Sequence, residues 1–355
     1  MKIATGPLGK HGGTTEHVKN IIKYSKYELT PITPSPFSVY YNKYRFKNVI
    51  PVLLTKCRVE RADIYGLLLS KRLAQFDIVH LHGHPYWPEI YRRPKNAHAK
   101  YIHTVHQIYL KEDSRNERRW KYKQWLNELM FKSCRASDVV ISVAKWQQEL
   151  LLEGGIESIY IPNGVNTEVC KSANPERFRE KYKIYDDFYI FGGNISKYKR
   201  PDLFVKLARE LPNRVFVMAG GVTRDNLMTR FNINIPKNVI CLGSLPYNDV
   251  IDAFSACRVL VLPSKNDTFP TALMEAMACK KPVVAANNAG PKEIVTDGVD
   301  GFLFEPDNED DLYEKACKAW EHPEAGIKGY EKVKQQFDWK IVIKKIDAVY
   351  DSLVQ

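Results

Sequence analysis

The chain has 355 residues, 44% hydrophobic and 26% charged, which is enough for about two domains of ordinary size. No apolar run approaches the roughly 18 residues of a membrane span, and the opening MKIATGPLGKHGG reaches glycine before it can build a signal peptide's apolar core. Residues 1–175 hold 27 Lys and Arg against 15 Asp and Glu, a surplus equal to the whole chain's +12, so the remainder is neutral and the basic half calls for an anionic partner, nucleic acid or an acidic membrane surface. Seven scattered cysteines (Cys57, Cys134, Cys170, Cys241, Cys257, Cys279, Cys317), odd in number and without a CxxC pair, read as reduced thiols of a cytosolic protein rather than a disulfide framework or a zinc site.

The first element is a very short strand ending in Gly6-Pro7-Leu8-Gly9-Lys10-His11-Gly12-Gly13 before a helix. Glycines at such a turn let backbone N–H groups approach an anion at a helix N-terminus, although the spacing is neither GxGxxG nor Walker A and a plain βα turn fits equally. Lys43, Arg45, Lys47, Lys56, Arg58 and Arg61 then flank the apolar run 49–54. Asp77 to Leu81 is a strand, with His80, His82 and His84 alternating at its end. No carboxylate is spaced to complete a metal ligand set there, so metal binding is not expected. Tyr101 to Val105 is the next strand, and His106 lies at its carboxyl end, where α/β sheets hold ligands; a structural histidine is the alternative. Arg115, Arg118, Arg119, Trp120, Lys121, Tyr122, Lys123 and Trp125 fall in one predicted helix, and a strand follows at 138–143.

Turn residues at Ile161-Pro162-Asn163-Gly164-Val165 break the series, and the polar segment Ser172 to Asp187 reads as a connector. Strands are then predicted at 189–191, 214–219, 239–242, 258–262 and 281–285. Continuously apolar runs separated by helices predict parallel strands covered on both faces, an α/β doubly wound architecture. After the 189–191 strand, Gly192-Gly193-Asn194 precedes Lys197, Lys199 and Arg200, either a diphosphate cradle or a solvated basic loop. After the 258–262 strand, Pro270 suits the first turn of a helix whose backbone donors from Phe269 to Leu273 can face an anion. Asp267 lies on the loop and Glu275 one turn inside the helix, a placement that suits gripping hydroxyl groups on both sides of a bound phosphate better than a glycosidase's facing carboxylates. The alternative has Glu275 facing Lys280 or solvent.

Together and in this order, these pieces resemble the retaining GT-B glycosyltransferases of family 4. The resemblance runs through Gly12-Gly13, Asp77-Ile78-Val79-His80-Leu81-His82, Thr104-Val105-His106, Ile161-Pro162-Asn163-Gly164-Val165-Asn166, Gly193 with Lys199, Leu262-Pro263-Ser264, Phe269-Pro270, Glu275-Ala276-Met277-Ala278, Pro282-Val283-Val284-Ala285 and the loop 297–303. It implies two Rossmann-like domains facing a central cleft: residues 1–168, joined by a returning helix 338–355 that begins beside Phe337-Asp338-Trp339, and residues 169–337, which hold a UDP- or GDP-sugar. Glu275 would then bind the donor ribose; Asp267 and the Phe269, Pro270 and Thr271 backbone would hold the sugar; and Lys199, helped by the Gly12-Gly13 turn, would bind the diphosphate. His106 would lie beside the transferred sugar, so that His106, Asp267 and Lys199 are the expected catalytic groups, while backbone near Leu245 would meet the base. The implied reaction is transfer to an acceptor hydroxyl with retained configuration, without a metal or other cofactor.

Two positions depart from the family pattern. Asp267 stands where a glutamate is usual, which shortens the reach by one methylene, and Asn194 stands where arginine is usual, which leaves Arg200 or Lys197 as the replacement cation. A catalytically weakened nucleotide-sugar-binding protein is therefore the competing reading, and a GT-B sugar epimerase is an enzymatic rival. A nucleic-acid-binding protein rests on charge alone, without a reading motif. Basic residues interleaved with aromatics in the N-terminal half suit a glycan or lipid-linked acceptor and a cytoplasmic protein peripheral on an anionic membrane; a solvated basic face is the alternative.

Overall fold

The computed structural model describes residues 1–6, 13–32, 73, 75–83, 98–111, 117–193 and 196–353. The basic run 43–61, His84, Arg115, Gly12 and Asn194 lie outside the described residues, as do the side chains of Arg118 and Arg119. The chain divides into two compact units, residues 1–162 with 342–355, and residues 163–341. The first boundary falls earlier than the expected 168, at Pro162, and the return falls inside a helix rather than before it.

The first unit is built on β1 (Ile3–Gly6), α1 (Gly13–Tyr24), β2 (Leu29–Pro31), β3 (Ile78–His82), β4 (Lys100–Val105), α2 (Glu117–Arg135), β5 (Val139–Ser142), α3 (Lys145–Glu153) and β6 (Ile159–Tyr160). Its sheet runs β2-β1-β3-β4-β5-β6 with every pairing parallel. β3 is buried along its whole length, histidines included, as a strand covered on both faces must be. Val79, Leu81 and Tyr101 pack one part of the core, and Val105, Met130, Val140 and Leu151 another.

The second unit carries α4 (Thr167–Lys171), α5 (Pro175–Tyr182), β7 (Phe188–Gly192), a 3₁₀ turn (Lys197–Lys199), α6 (Pro201–Glu210), β8 (Val215–Ala219), α7 (Arg224–Phe231), β9 (Val239–Gly243) and α8 (Tyr247–Ala256). It continues with β10 (Val259–Leu262), α9 (Thr271–Ala278), β11 (Val283–Ala286), α10 (Pro291–Ile294), β12 (Phe302–Phe304), α11 (Glu309–Glu321) and α12 (Glu324–Gln336). A final helix, α13 (Trp339–Ser352), starts in this unit and ends in the first. The all-parallel sheet runs β12-β11-β10-β7-β8-β9, the doubly wound order that reverses between β7 and β10. Tyr189 stacks on Phe216 at 4.8 Å and Phe204 meets Phe216 edge-on at 5.2 Å inside its core.

Half of the expected connector 172–187 is instead the helix α5. Asn174 caps it through the Arg177 N–H, Pro175 opens it, and Phe178 is its one buried side chain. One apolar residue in a charged helix gives too little periodicity to read. Its Arg177 grips the buried Asp252 carboxylate with Nε and a second nitrogen, which fastens α5 to α8.

Candidate functional site

The loops after β7 and β10 leave adjacent strand ends at the point where the sheet order reverses, the place where open α/β sheets hold ligands. The Lys265 N–H donates to the Tyr198 carbonyl at 2.7 Å and joins the two loops by backbone. Lys199 Nζ donates to both carboxylate oxygens of Asp267, at 2.9 and 2.7 Å. The two side chains are only 12% and 13% exposed. Burial works against the lysine charge, but the Asp267 carboxylate, with Tyr198 adding to it, outweighs burial and holds the ammonium above the usual lysine value.

Two glycines set the shape of these loops. Gly220 has φ +101°, and a Cβ there would lie 2.1 Å from the Gly193 carbonyl oxygen. At Gly290 a Cβ would lie 2.1 Å from the Thr268 carbonyl, and the Gly290 N–H donates to the Asp267 carbonyl at 3.0 Å. Sequence reasoning passed over both. The available signals were Gly220-Gly221 and Gly290-Pro291, each shortly after a strand.

Pro270 is the N-cap of α9 rather than a first-turn residue, and Thr271 opens the helix. Its N-cap residue makes no side-chain cap hydrogen bond, and the Leu273 N–H donates to the Pro270 carbonyl at 3.3 Å. Phe269 is buried edge-on against Phe337 at 5.5 Å, and its carbonyl accepts from Asn163 Nδ2 at 3.1 Å. Glu275 is half-buried one turn into α9, and its Oε1 accepts from the Tyr247 hydroxyl at 3.0 Å. Tyr247 opens α8, two residues past the half-buried Leu245, and its ring is 42% exposed. It too escaped the sequence reading, because its contact runs between two helices.

Arg200 follows the 3₁₀ turn. Its backbone is left-handed (φ 52°), and its guanidinium is bound to the carboxylates of Asp202 and Asp307. Lys197 is the exposed cation of the same turn.

In the first unit, Gly13 opens α1, and among the described residues outside its own helix and chain neighbours none lies within 4 Å of where its Cβ would be. His106, past the end of β4, places Nε2 3.2 Å from His82 Nδ1. Burial, followed by the neighbouring imidazoles, pushes both rings well below the ordinary histidine value, so they are neutral at pH 7. His80 is committed elsewhere, with Nδ1 2.7 Å from the Tyr350 hydroxyl and Nε2 2.7 Å from Thr104 Oγ1. Of the described histidines of β3, His80 and His82 thus do not share one ligand set. A different trio converges: His17, His82 and His106 each present a ring nitrogen, all within 4.8 Å of one another.

Two parallel doubly wound units with ligand loops at the sheet's reversal define the class, an α/β protein of GT-B architecture. The comparisons with known proteins agree. Residues 11–169 match the family model "Glycosyltransferase Family 4" and residues 174–336 match "Glycosyl transferases group 1". An uncharacterized glycosyltransferase of Methanocaldococcus jannaschii, MJ1178, is 25% identical, covering 96% of this chain and 95% of its own. Anabaena HepE, crystallised in complex with UDP, superposes with a TM-score of 0.76 over 99% of each chain at 17% identity. The alpha-galactosylglucosyldiacylglycerol synthase of Streptococcus pneumoniae is 31% identical over 35% of this chain and 36% of its own. The chain belongs to the family 4-type GT-B glycosyltransferases.

Proposed function

We propose that the protein transfers a hexosyl group from a nucleotide-diphosphate sugar to an acceptor hydroxyl with retained configuration and without a required metal. The observation that carries the donor assignment is the arrangement around the start of α9: Lys199 with Asp267 on one side, and Glu275 with Tyr247 on the other. A ribose at Glu275 and a diphosphate at the uncapped helix tip would bring the sugar to Asp267. Lys199 and the α9 N–H groups would then stabilise the departing diphosphate as positive charge develops at the anomeric carbon. The acceptor would attack on the leaving-group face and pass its proton to a phosphate oxygen, so the protein's task is positioning and charge stabilisation rather than nucleophilic attack.

UDP is the first nucleotide to test, given that HepE binds it. The basic first half and the likeness to a glycolipid synthase favour a lipid-linked or glycan acceptor at an anionic membrane surface. A thermal-shift panel of UDP-, GDP- and ADP-sugars tests the reading. The true donor at about 100 times its Kd should stabilise the fold by roughly 2.7 kcal/mol. No shift with any of them would overturn it, whereas binding without UDP release or transfer would favour a protein that has lost turnover.

A further inference from the structure

We propose that His17, His82 and His106 form a binding site for a divalent transition metal of the zinc, cobalt or nickel type, and that its occupation inhibits the enzyme. The three side chains come from α1, the end of β3 and the loop after β4, so the sheet assembles them from distant sequence. Their ring nitrogens lie within 4.8 Å of one another. Ligand atoms of a tetrahedral zinc site, with Zn–N of about 2.05 Å, are about 3.3 Å apart. The 3.2 Å between His82 Nδ1 and His106 Nε2 already matches one such edge. From the 4.8 Å limit, His17 needs to close by at most about 1.5 Å to complete the triangle. Its ring stands edge-on to His106 at 4.7 Å between centroids and tilted to His82 at 5.3 Å, so the three planes converge rather than stack.

The surroundings also fit. Thr5 Oγ1 lies 3.2 Å from His82 Nε2; with the proton on Nε2, the hydroxyl accepts it and leaves the Nδ1 lone pair facing the other rings. His17 and His82 are buried and His106 is half-buried, and three imidazoles would leave the fourth position of a tetrahedral ion to a water or another ligand, the pattern of three-histidine zinc sites. Among the described residues the set is all imidazole, which selects borderline metals and discriminates against magnesium, calcium and manganese, which prefer oxygen. Between His82 and His106 the metal would replace one hydrogen bond. His106 would then carry its single proton on Nδ1, and no proton need be lost. A metal-bound His106 is withdrawn from any contact with substrate; this inhibitory half rests on the transferase reading above, whereas the binding half does not.

The test is titration of chelator-treated full-length protein with Co²⁺. One equivalent should produce the visible absorption of four-coordinate cobalt, and Zn²⁺ should abolish it. His17→Gln and His82→Gln should each lose the band. Thr5→Val keeps all three ligands and should weaken binding by about 10–100-fold. UDP release from the donor sugar should fall in step with metal occupancy and recover with EDTA. If the wild-type spectrum stays that of aqueous Co²⁺, or the band survives both histidine variants, the site is refuted whatever the enzyme's activity. Unchanged turnover at full cobalt occupancy refutes the inhibition alone. A protein that binds cobalt but no nucleotide sugar refutes the donor reading and leaves the site standing.

Discussion

At the scale of single residues, the most informative pair is Lys199 with Asp267. An anion arriving beside a carboxylate is repelled unless Lys199 turns part of its charge to the newcomer, which frees Asp267 to accept from sugar hydroxyls. Asp267→Asn should therefore strengthen binding of UDP relative to UDP-sugar, and equal changes in the two affinities by calorimetry would contradict the exchange. The pair is largely buried, so Lys199→Met strands a carboxylate and should cost about 3–5 kcal/mol in urea unfolding, much of it recovered in Lys199→Met/Asp267→Leu. Because the lysine value is raised on folding, its contribution is fully present below the ordinary 10.5 and is lost only as pH rises through the folded value; Lys199 therefore gives no pH dependence between pH 6 and 9. On the other side, Glu275→Ala should weaken the whole nucleotide sugar by about 10–100-fold, as expected for lost hydrogen bonds to a charged group. Tyr247→Phe, which removes only the hydroxyl that orients Glu275, should cost about 2–10-fold. If Glu275→Ala left donor affinity untouched, the ribose assignment would be wrong. The placement of Asp267 on a loop and Glu275 one turn into the next helix was legible in the sequence because the two elements are contiguous. Tyr247 was not, since nothing local announces a partner 28 positions away.

At the scale of elements, the parallel strands were legible because burial on both faces writes them as unbroken apolar runs. β2, β6 and β12 are two or three residues long, too short to stand out from ordinary loop composition. α5 was hidden for the opposite reason, being a charged surface helix pinned by Phe178 and Arg177. The loops that shape the site depend on a close backbone approach that the strand pattern does not encode. Gly220 illustrates this: its left-handed backbone and the 2.1 Å approach to Gly193 oxygen leave no room for a methyl group. Gly220→Ala should destabilise the fold by more than about 1 kcal/mol and displace the β7 loop, with donor affinity falling even where the protein stays folded. An alanine variant with wild-type stability and donor affinity would show that the contact between these loops is not needed.

At the scale of the whole molecule, the uneven charge has to be weighed against where it sits. The surplus of +12 belongs to residues 1–175, but the described exposed face of α2 mixes Glu117 and Glu128 with Lys121, Lys132 and Arg135. Lys123 leans instead over the Tyr109 ring at 5.1 Å. A face of mixed sign does not by itself make a membrane-binding helix, and among the described residues no helix is long and apolar enough to cross a bilayer. Attraction to an anionic surface would therefore be a property of the first half's summed charge, spread over many cations worth about 1 kcal/mol each when near the surface. That has a distinctive consequence. Co-sedimentation with phosphatidylserine vesicles should be strong at about 0.01 M salt, where the screening length is about 30 Å, and largely lost at 1 M, where it is about 3 Å. Lys121→Glu alone should change it only slightly, whereas removing several cations of the run 43–61 together should abolish it. Retention at high salt would point to an inserted apolar segment, and no retention at low salt would remove the membrane from the proposal while leaving donor binding untouched.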